Sequence, residues 1–187
     1  MKIRLKKFKS VNSTNDIAIK LIRKNNFRPT VVVSEKQTSG KGTMGKKWVS
    51  LKGNLFITIF FKLDQLKIDF KQFAIINALI IKRIISKKVS KEFKVKWPND
   101  ILYKKRKLCG ILQEVIYHKR INYLIVGIGL NTNIAPKNKK FASTSLKNII
   151  KKKIDNKLIL KSIVKGYEKL LDETKIMSFE KLKKRYA

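Results

Sequence analysis

The residues of this chain best suited to chemistry lie in a few short stretches rich in glycine, lysine and amide side chains. Gly40-Lys41-Gly42-Thr43-Met44-Gly45-Lys46-Lys47-Trp48 sets three glycines and three lysines within eight residues and then adds an indole. Glycines let backbone N–H groups approach an anion closely, and lysines neutralise phosphate or carboxylate charge. Trp48 offers a flat face for an adenine ring. The segment nearly spells the phosphate-binding pattern G-x-x-x-x-G-K-[ST], but Lys47 stands where the magnesium-binding hydroxyl is needed. Such a loop must also run into a helix, and here the apolar run Asn54–Phe61 follows instead. An exposed, solvated loop satisfies the same residues.

Three further stretches carry candidate groups. In Lys94-Val95-Lys96-Trp97-Pro98-Asn99-Asp100, Lys96 closes a predicted strand just before a Pro-Asn-Asp turn. An ammonium held there would stabilise negative charge developing on a carboxyl or phosphoryl oxygen; an ordinary solvated lysine beside a turn fits equally well. Val126-Gly127-Ile128-Gly129-Leu130-Asn131-Thr132-Asn133 fails as a dinucleotide fingerprint at Thr132. Glycines inside an apolar strand mark close approach of a ligand or another backbone, with Asn131 and Asn133 supplying amides at the strand's end; a bulge followed by a turn is the plainer alternative. The hydroxyls of Ser13-Thr14-Asn15 either cap a helix or hydrogen-bond the polar ring of a small ligand. Cys109 has no histidine near it in sequence and reads as a small buried hydrophobe.

The elements that must hold these groups follow from periodicity. Ile3 to Phe8 alternates apolar and basic residues, as an edge strand does. Ser13 and Asp16 have capping-box spacing at the head of a helix whose apolar face is Ile17, Ala18, Leu21 and Ile22. Thr30–Ser34 is a short β-branched strand, and Asn54–Phe61, apolar on both faces, is a central one. Phe70, Phe73, Ala74, Ala78, Ile81 and Ile85 trace a long amphipathic helix. Strands are predicted at Phe93–Trp97, Leu108–Ile116 and Ile121–Leu130, with a hairpin at Tyr117–Arg120, and helices at Leu158–Leu171 and around Phe179 and Leu182. The mixed order predicts an α+β fold, a mixed sheet with helices packed against it.

Composition limits what else the chain can be. Its 187 residues suit one domain, and 43% hydrophobic content suffices for a core. Apolar stretches are broken by Lys or Arg long before the ~20 residues a membrane span needs, so no membrane association is expected. The N-terminus lacks the apolar run of a secretory signal, which leaves a cytoplasmic location as the expectation. One histidine and one cysteine do not make a zinc site, and no tightly bound metal or prosthetic group is expected. The net charge of +34 attracts acidic partners or nucleic acid and opposes self-association, so a monomer or weak homodimer is expected. The 39 lysines against 7 arginines are spread along the whole chain, as a general lysine bias would leave them. Specific base readout leans on arginine's fork, so no specific DNA binding is expected.

Taken in order, Ser13-Thr14-Asn15, the Gln37 to Trp48 loop, Lys96-Trp97-Pro98-Asn99-Asp100, Lys107-Leu108-Cys109-Gly110-Ile111-Leu112 and Gly127-Ile128-Gly129-Leu130-Asn131 resemble the biotin–protein ligases over nearly the whole chain. The resemblance implies a class II aminoacyl-tRNA synthetase-like biotinyl/lipoyl ligase catalytic domain spanning residues 1–187, without an N-terminal winged helix or a C-terminal small β-barrel, and hence without repressor activity. It implies that biotin and ATP, the latter with Mg2+, form biotinyl-5′-AMP, and that biotin then passes to a lysine of a biotin carboxyl carrier protein, from acetyl-CoA carboxylase or a related carboxylase. It further implies that Ser13, Thr14, Asn15 and Gln37 contact the biotin head, that Lys41, Gly42 and Thr43 lie over the carboxylate and phosphate, and that Lys96 is the catalytic cation. Trp48 would pack on adenine, Asn131 would read the nucleotide, and Gly110 and Gly127 would give the ligand room. Many family members carry arginine at the positions of Lys41 and Thr43; Thr43 has no guanidinium to offer the phosphate. The competing readings are a lipoate- or octanoate-transferring enzyme of the same fold and a basic nucleic-acid-binding module. The Lys-Trp-Pro-Asn-Asp segment argues against the first, and the lack of a recognisable nucleic-acid-binding motif argues against the second.

Overall fold

The computed structural model describes residues 1–64, 66–137 and 141–187. Seven strands form one sheet: β1 (Arg4–Val11), β2 (Thr30–Gln37), β3 (Leu55–Lys62), β4 (Lys94–Lys96), β5 (Asp100–Tyr103), β6 (Arg106–His118) and β7 (Ile121–Leu130), in the spatial order β1-β2-β3-β7-β6-β5-β4. The pair β1–β2 is parallel and the other pairs are antiparallel, so the sheet is mixed, as the element order predicts. The helices are α1 (Thr14–Arg23), α2 (Phe70–Val89), α3 (Leu146–Ile150), α4 (Asn156–Glu173) and α5 (Phe179–Tyr186). No described helix is long and apolar enough to cross a membrane.

Strand alternation divides the apolar residues between two cores. On one face Ile57, Ile59, Phe61, Val126 and Ile128 meet α2, α4 and α5 through Phe73, Ile80, Ile163, Leu170 and Leu182. On the other, Val32, Phe60, Tyr123 and Ile125 meet Ala18 and Ile22 of α1, with Ile17, Ile19 and Leu21 of the same helix partly buried against them. One ten-residue helix covers part of that face and leaves the rest, over Gly110, Gly127 and Gly129, to side chains from its first turn and from the loop after β2. The functional groups gather on this thinly covered stretch.

Several boundaries differ from the sequence reading for identifiable reasons. The strand predicted over Phe93–Trp97 is only β4, three residues long, and Asp100, assigned to a turn, begins β5. β5 has one fully buried residue, Ile101, so it carries no alternation to detect. The turn joining it to β6 is Lys104-Lys105, both at positive φ; such hairpins usually announce themselves with Asn-Gly. The β6–β7 turn repeats the device with Lys119-Arg120, where a hairpin was expected. The five-residue α3, capped by Ser145, escaped notice because it is shorter than two turns. At α1, Ser13 accepts from the Asn15 N–H, but the expected capping box does not close: Asp16 turns away to pair with Lys41.

Candidate active site

The first turn of α1 is tied to the sheet by a chain of short polar contacts. The Thr14 N–H donates to Gln37 Oε1 at the end of β2 (2.8 Å), and the Gln37 amide donates to Ser50 Oγ (3.0 Å). Thr58, on β3, brings Oγ1 to 2.8 Å from Thr14 Oγ1 and 2.6 Å from Asn15 Oδ1. The Asn15 amide nitrogen donates to Glu114 of β6. Ser13, Thr14, Asn15 and Thr58 are all buried, so these contacts fix the side chains rather than merely solvate them.

Three glycines make this packing possible. Thr58 sits opposite Gly127 in the β3–β7 register, and a Cβ on Gly127 would lie 2.4 Å from Asn15 Oδ1. A Cβ on Gly110 would lie 2.6 Å from the Trp48 ring, and one on Gly129 would lie 2.3 Å from it. Gly110 and Gly127, expected to give a ligand room, both line the cavity described below; in this structure Asn15 lies over Gly127, and Trp48 lies over Gly110 and Gly129. Gly129 belongs with them although the sequence reading left it out of the site. Trp48 Nε1 is buried there without a hydrogen-bond partner.

The Gly-Lys segment is a small hairpin rather than an open loop. Lys41 and Lys47 form an antiparallel bridge, the Gly42 N–H donates to Lys46 O (2.7 Å) and the Trp48 N–H donates to Gly40 O (2.8 Å). Its tip is a 3-10 turn, Thr43–Gly45, with Met44 at φ 54° and 92% exposed. The hairpin lies over the cavity formed by the α1 turn and the glycine strands. This cavity, of about 120 Å3, is lined by Ser13, Thr14, Asn15, Gln37, Lys41, Gly42, Thr43, Trp48, Gly110, Gly127 and Asn131. These are all the site residues expected from the sequence except one.

The exception is Lys96. It is exposed on the edge strand β4 and does not line the cavity. The cation at that wall is Lys107, near the start of β6. Its ammonium lies 2.7 Å from Asp100 Oδ1 and 5.5 Å from the ring centroids of both Trp48 and Phe141. Its backbone N–H donates to Ala142 O and its carbonyl accepts from the Thr144 N–H. Lys41 also reaches the cavity, paired with Asp16, but its side chain is 45% exposed against 22% for Lys107. Lys107 is the less exposed of these two paired lysines, and Lys96, the expected catalytic cation, lies outside the cavity lining. Lys96 precedes the Pro-Asn-Asp turn and Lys107 follows it beyond β5, and sequence spacing does not say which one points inward.

At the far end Asn131 is buried, its N–H donating to Leu108 O (3.0 Å). Beside it Asn54, also buried, accepts from the Asn133 and Ile134 N–H groups (2.9 Å each), holding the chain that leaves β7. Cys109 is buried beneath the site; burial, and then the Asp100 carboxylate, push its thiol well above the ordinary range, so it is no nucleophile. Among the described residues no three acidic, cysteine or histidine side chains converge on a possible metal position.

The sequence signature of the biotin/lipoate A/B protein ligase family matches residues 7–131, which run from within β1 through β7 and include every group described above except the segments after Asn131. The chain belongs to this family. The bifunctional ligase/repressor BirA of Bacillus subtilis is 32% identical over 165 residues, 85% of this chain and 51% of the relative. The chain thus spans about half the length of the curated relatives it matches most fully. Among solved structures, the biotin protein ligase of Aquifex aeolicus in complex with biotin and ATP superposes with a TM-score of 0.84 at 29% identity, covering 98% of this chain and 76% of that one. The biotin protein ligase of Leishmania major in complex with biotinyl-5-AMP gives 0.82 at 26% identity, covering 99% and 79%. The fold is that of a ligase catalytic domain of this family: α+β, with a mixed seven-stranded sheet.

Proposed function

We propose that this chain is the catalytic core of a biotin–protein ligase, joining biotin to AMP with ATP and then passing the biotinyl group to a lysine of a biotin carboxyl carrier protein. The observation that carries the reading is the meeting, in one cavity, of a buried polar pocket (Ser13, Thr14, Asn15, Gln37) with the fixed ammonium of Lys107 and the Lys41 hairpin. Likeness to ligase structures that hold biotin with ATP, or biotinyl-5-AMP, supports the same assignment.

Each group has a task the chemistry requires. The polar pocket would hold the ring of biotin and aim its carboxylate at the hairpin. That carboxylate attacks the α-phosphorus, and pyrophosphate leaves with the electron pair of the broken P–O bond. The carrier's amine then adds to the acyl carbonyl and expels AMP. Both steps gather negative charge on oxygen, and Lys107, held by Asp100 and two aromatic faces, is preorganised to meet it. Lys41 would neutralise the carboxylate and phosphate, and Asn131 would contact the nucleotide. Magnesium would arrive on the triphosphate, as it commonly does in nucleotide sites.

Ligand pockets usually occupy roughly 300–1,000 Å3, and the cavity of about 120 Å3 is smaller because Trp48 lies in it. The hairpin would therefore swing outward to admit substrates, and Trp48 would repack on the adenine. The test is pyrophosphate release from Mg-ATP. It is expected with biotin and not with lipoate or octanoate. A folded protein that releases none with biotin would sink the reading; release with lipoate or octanoate alone would assign the site to the other branch of the family.

A further inference from the structure

Four lysines line the cavity, Lys41, Lys46, Lys47 and Lys107, and among the described residues that line it none is acidic. Two of the four are held by carboxylates that stand outside the lining: Lys107 by Asp100, and Lys41 by Asp16 at 2.5 Å. Lys46 and Lys47 form no ion pair among the described residues. The difference matters at Lys41, which stands opposite Lys47 in the hairpin bridge. Like charges opposite each other on paired strands repel, and a lysine arm is long, flexible and strongly hydrated. Both effects draw the Lys41 ammonium out into water. Asp16 draws it instead to the first turn of α1, the turn that carries Thr14 and Asn15.

Asp16 makes this contact in place of a local one. It is the third residue of α1, where an acidic side chain can accept from the backbone N–H of the N-cap residue. That N–H belongs to Ser13 and donates to no described residue. An ammonium carries three N–H donors, so one bond to Asp16 leaves two for an anion in the cavity. We infer that Asp16 is a positioning residue that aims Lys41 at the outlet of the polar pocket, where the carboxylate of the ligand emerges. The inference rests on the proposed binding of biotin with its ring among Ser13, Thr14, Asn15 and Gln37. The sign of the effect separates this role from plain electrostatics. Asp16 is itself negative, and removing a negative charge beside an anion site strengthens anion binding. Because Asp16 acts by placing Lys41, removing its charge weakens binding instead. The pair is partly exposed, so the effect is modest.

The experiment is calorimetric binding of biotin, without ATP, to the wild type and Asp16→Asn, each also in a Lys41→Met background. Asp16→Asn should bind biotin about threefold more weakly than the wild type, within the range of an exposed ion pair. Biotinamide, which lacks the carboxylate charge, should bind the two proteins alike. In the Lys41→Met background Asp16→Asn should weaken nothing, since the group it acts through is gone. A merely structural role for Asp16 would weaken both ligands and would persist without Lys41; either result would overturn the inference. So would an Asp16→Asn variant that binds biotin as tightly as the wild type, or more tightly. If Asp16→Asn does not fold, Asp16→Ser removes the same charge and should give the same pattern. All these outcomes leave biotin binding itself intact, whereas a folded wild type that binds no biotin would overturn the functional reading as well.

Discussion

Replacing Lys107 tests the geometry of the site most directly, because Lys96 provides the control. Lys107→Met keeps the length of the side chain and much of its contact with Trp48 and Phe141 but removes the charge. Two effects follow from the structure. The first is on stability. Asp100, with its side chain 18% exposed, loses the cation 2.7 Å away, and breaking a partly buried ion pair of this kind costs about 2 kcal/mol, which lowers Tm by roughly 4–8 °C in a domain of this size. The second is on rate. Removing one preorganised group that stabilises a developing oxyanion costs about 10²–10³ in kcat. The two are separated by adding Asp100→Asn, which relieves the unpaired carboxylate and should recover most of the lost Tm without recovering activity. Lys96→Met, on an exposed edge strand, should stay within about 0.5 kcal/mol and about twofold of the wild type. The assay is biotin-dependent pyrophosphate release with circular dichroism melting on the wild type and the three variants. A Lys96→Met variant slowed 10²-fold beside an active Lys107→Met would refute the assignment.

Three further outcomes are expected. Gly129→Ala places a Cβ 2.3 Å from the Trp48 ring and must expel the indole; its fluorescence should shift to the red and pyrophosphate release should fall at least about tenfold, whereas an unchanged emission maximum would show that the slot relaxes. Thr43→Arg puts a guanidinium at the hairpin tip, where phosphate is proposed to lie, and should slow escape of biotinyl-adenylate in a chase experiment by about tenfold; an unchanged off-rate would mean that the lysines already hold it. Cys109 is buried and its thiol is pushed up in pKa, so the reactive thiolate is scarce in the folded state at pH 8. Alkylation there should be more than about 10²-fold slower than in urea, and comparable rates would contradict the burial.

Much of the fold was legible because its signals are local. β3 and β7 are continuous apolar runs, and α2 repeats its apolar residues over twenty positions, so period and length identified them. β5 and α3 were not legible, because an element of four or five residues has too few positions for a period. The Lys104-Lys105 turn hid β5 further, since a lysine at positive φ has the same letters as a lysine on a helix surface. The start of α1 shows the other limit. Ser13 and Asp16 have the spacing of a capping box, but Asp16 pairs with a lysine twenty-five residues away, and no local rule ranks that partner against the helix's own backbone.

The site was legible as a set of residues and illegible as a set of directions. Every polar residue that reaches the cavity belongs to a short motif whose composition suits anions or small rings, so residue type was enough to collect Ser13, Thr14, Asn15, Gln37, Lys41 and Asn131. Which of two lysines faces inward depends on the hairpin of β5 on β6, where Asp100 stands opposite Gly110 and its carboxylate draws in the ammonium of Lys107. What a glycine leaves room for depends on which side chain the rest of the fold brings over it. Gly127 and Gly110 read as space for a ligand because a sequence shows the missing Cβ but not the Asn15 amide or the Trp48 ring that takes its place. The two occupants differ in consequence. Asn15 is held by Thr58 and Glu114 and belongs to the pocket wall, whereas Trp48 Nε1 has no partner, so the indole loses no hydrogen bond when the hairpin lifts. The same missing Cβ thus lies under a hydrogen-bonded amide at Gly127 and under an unbonded indole at Gly129, and only the second contact could open, as proposed, without breaking a hydrogen bond.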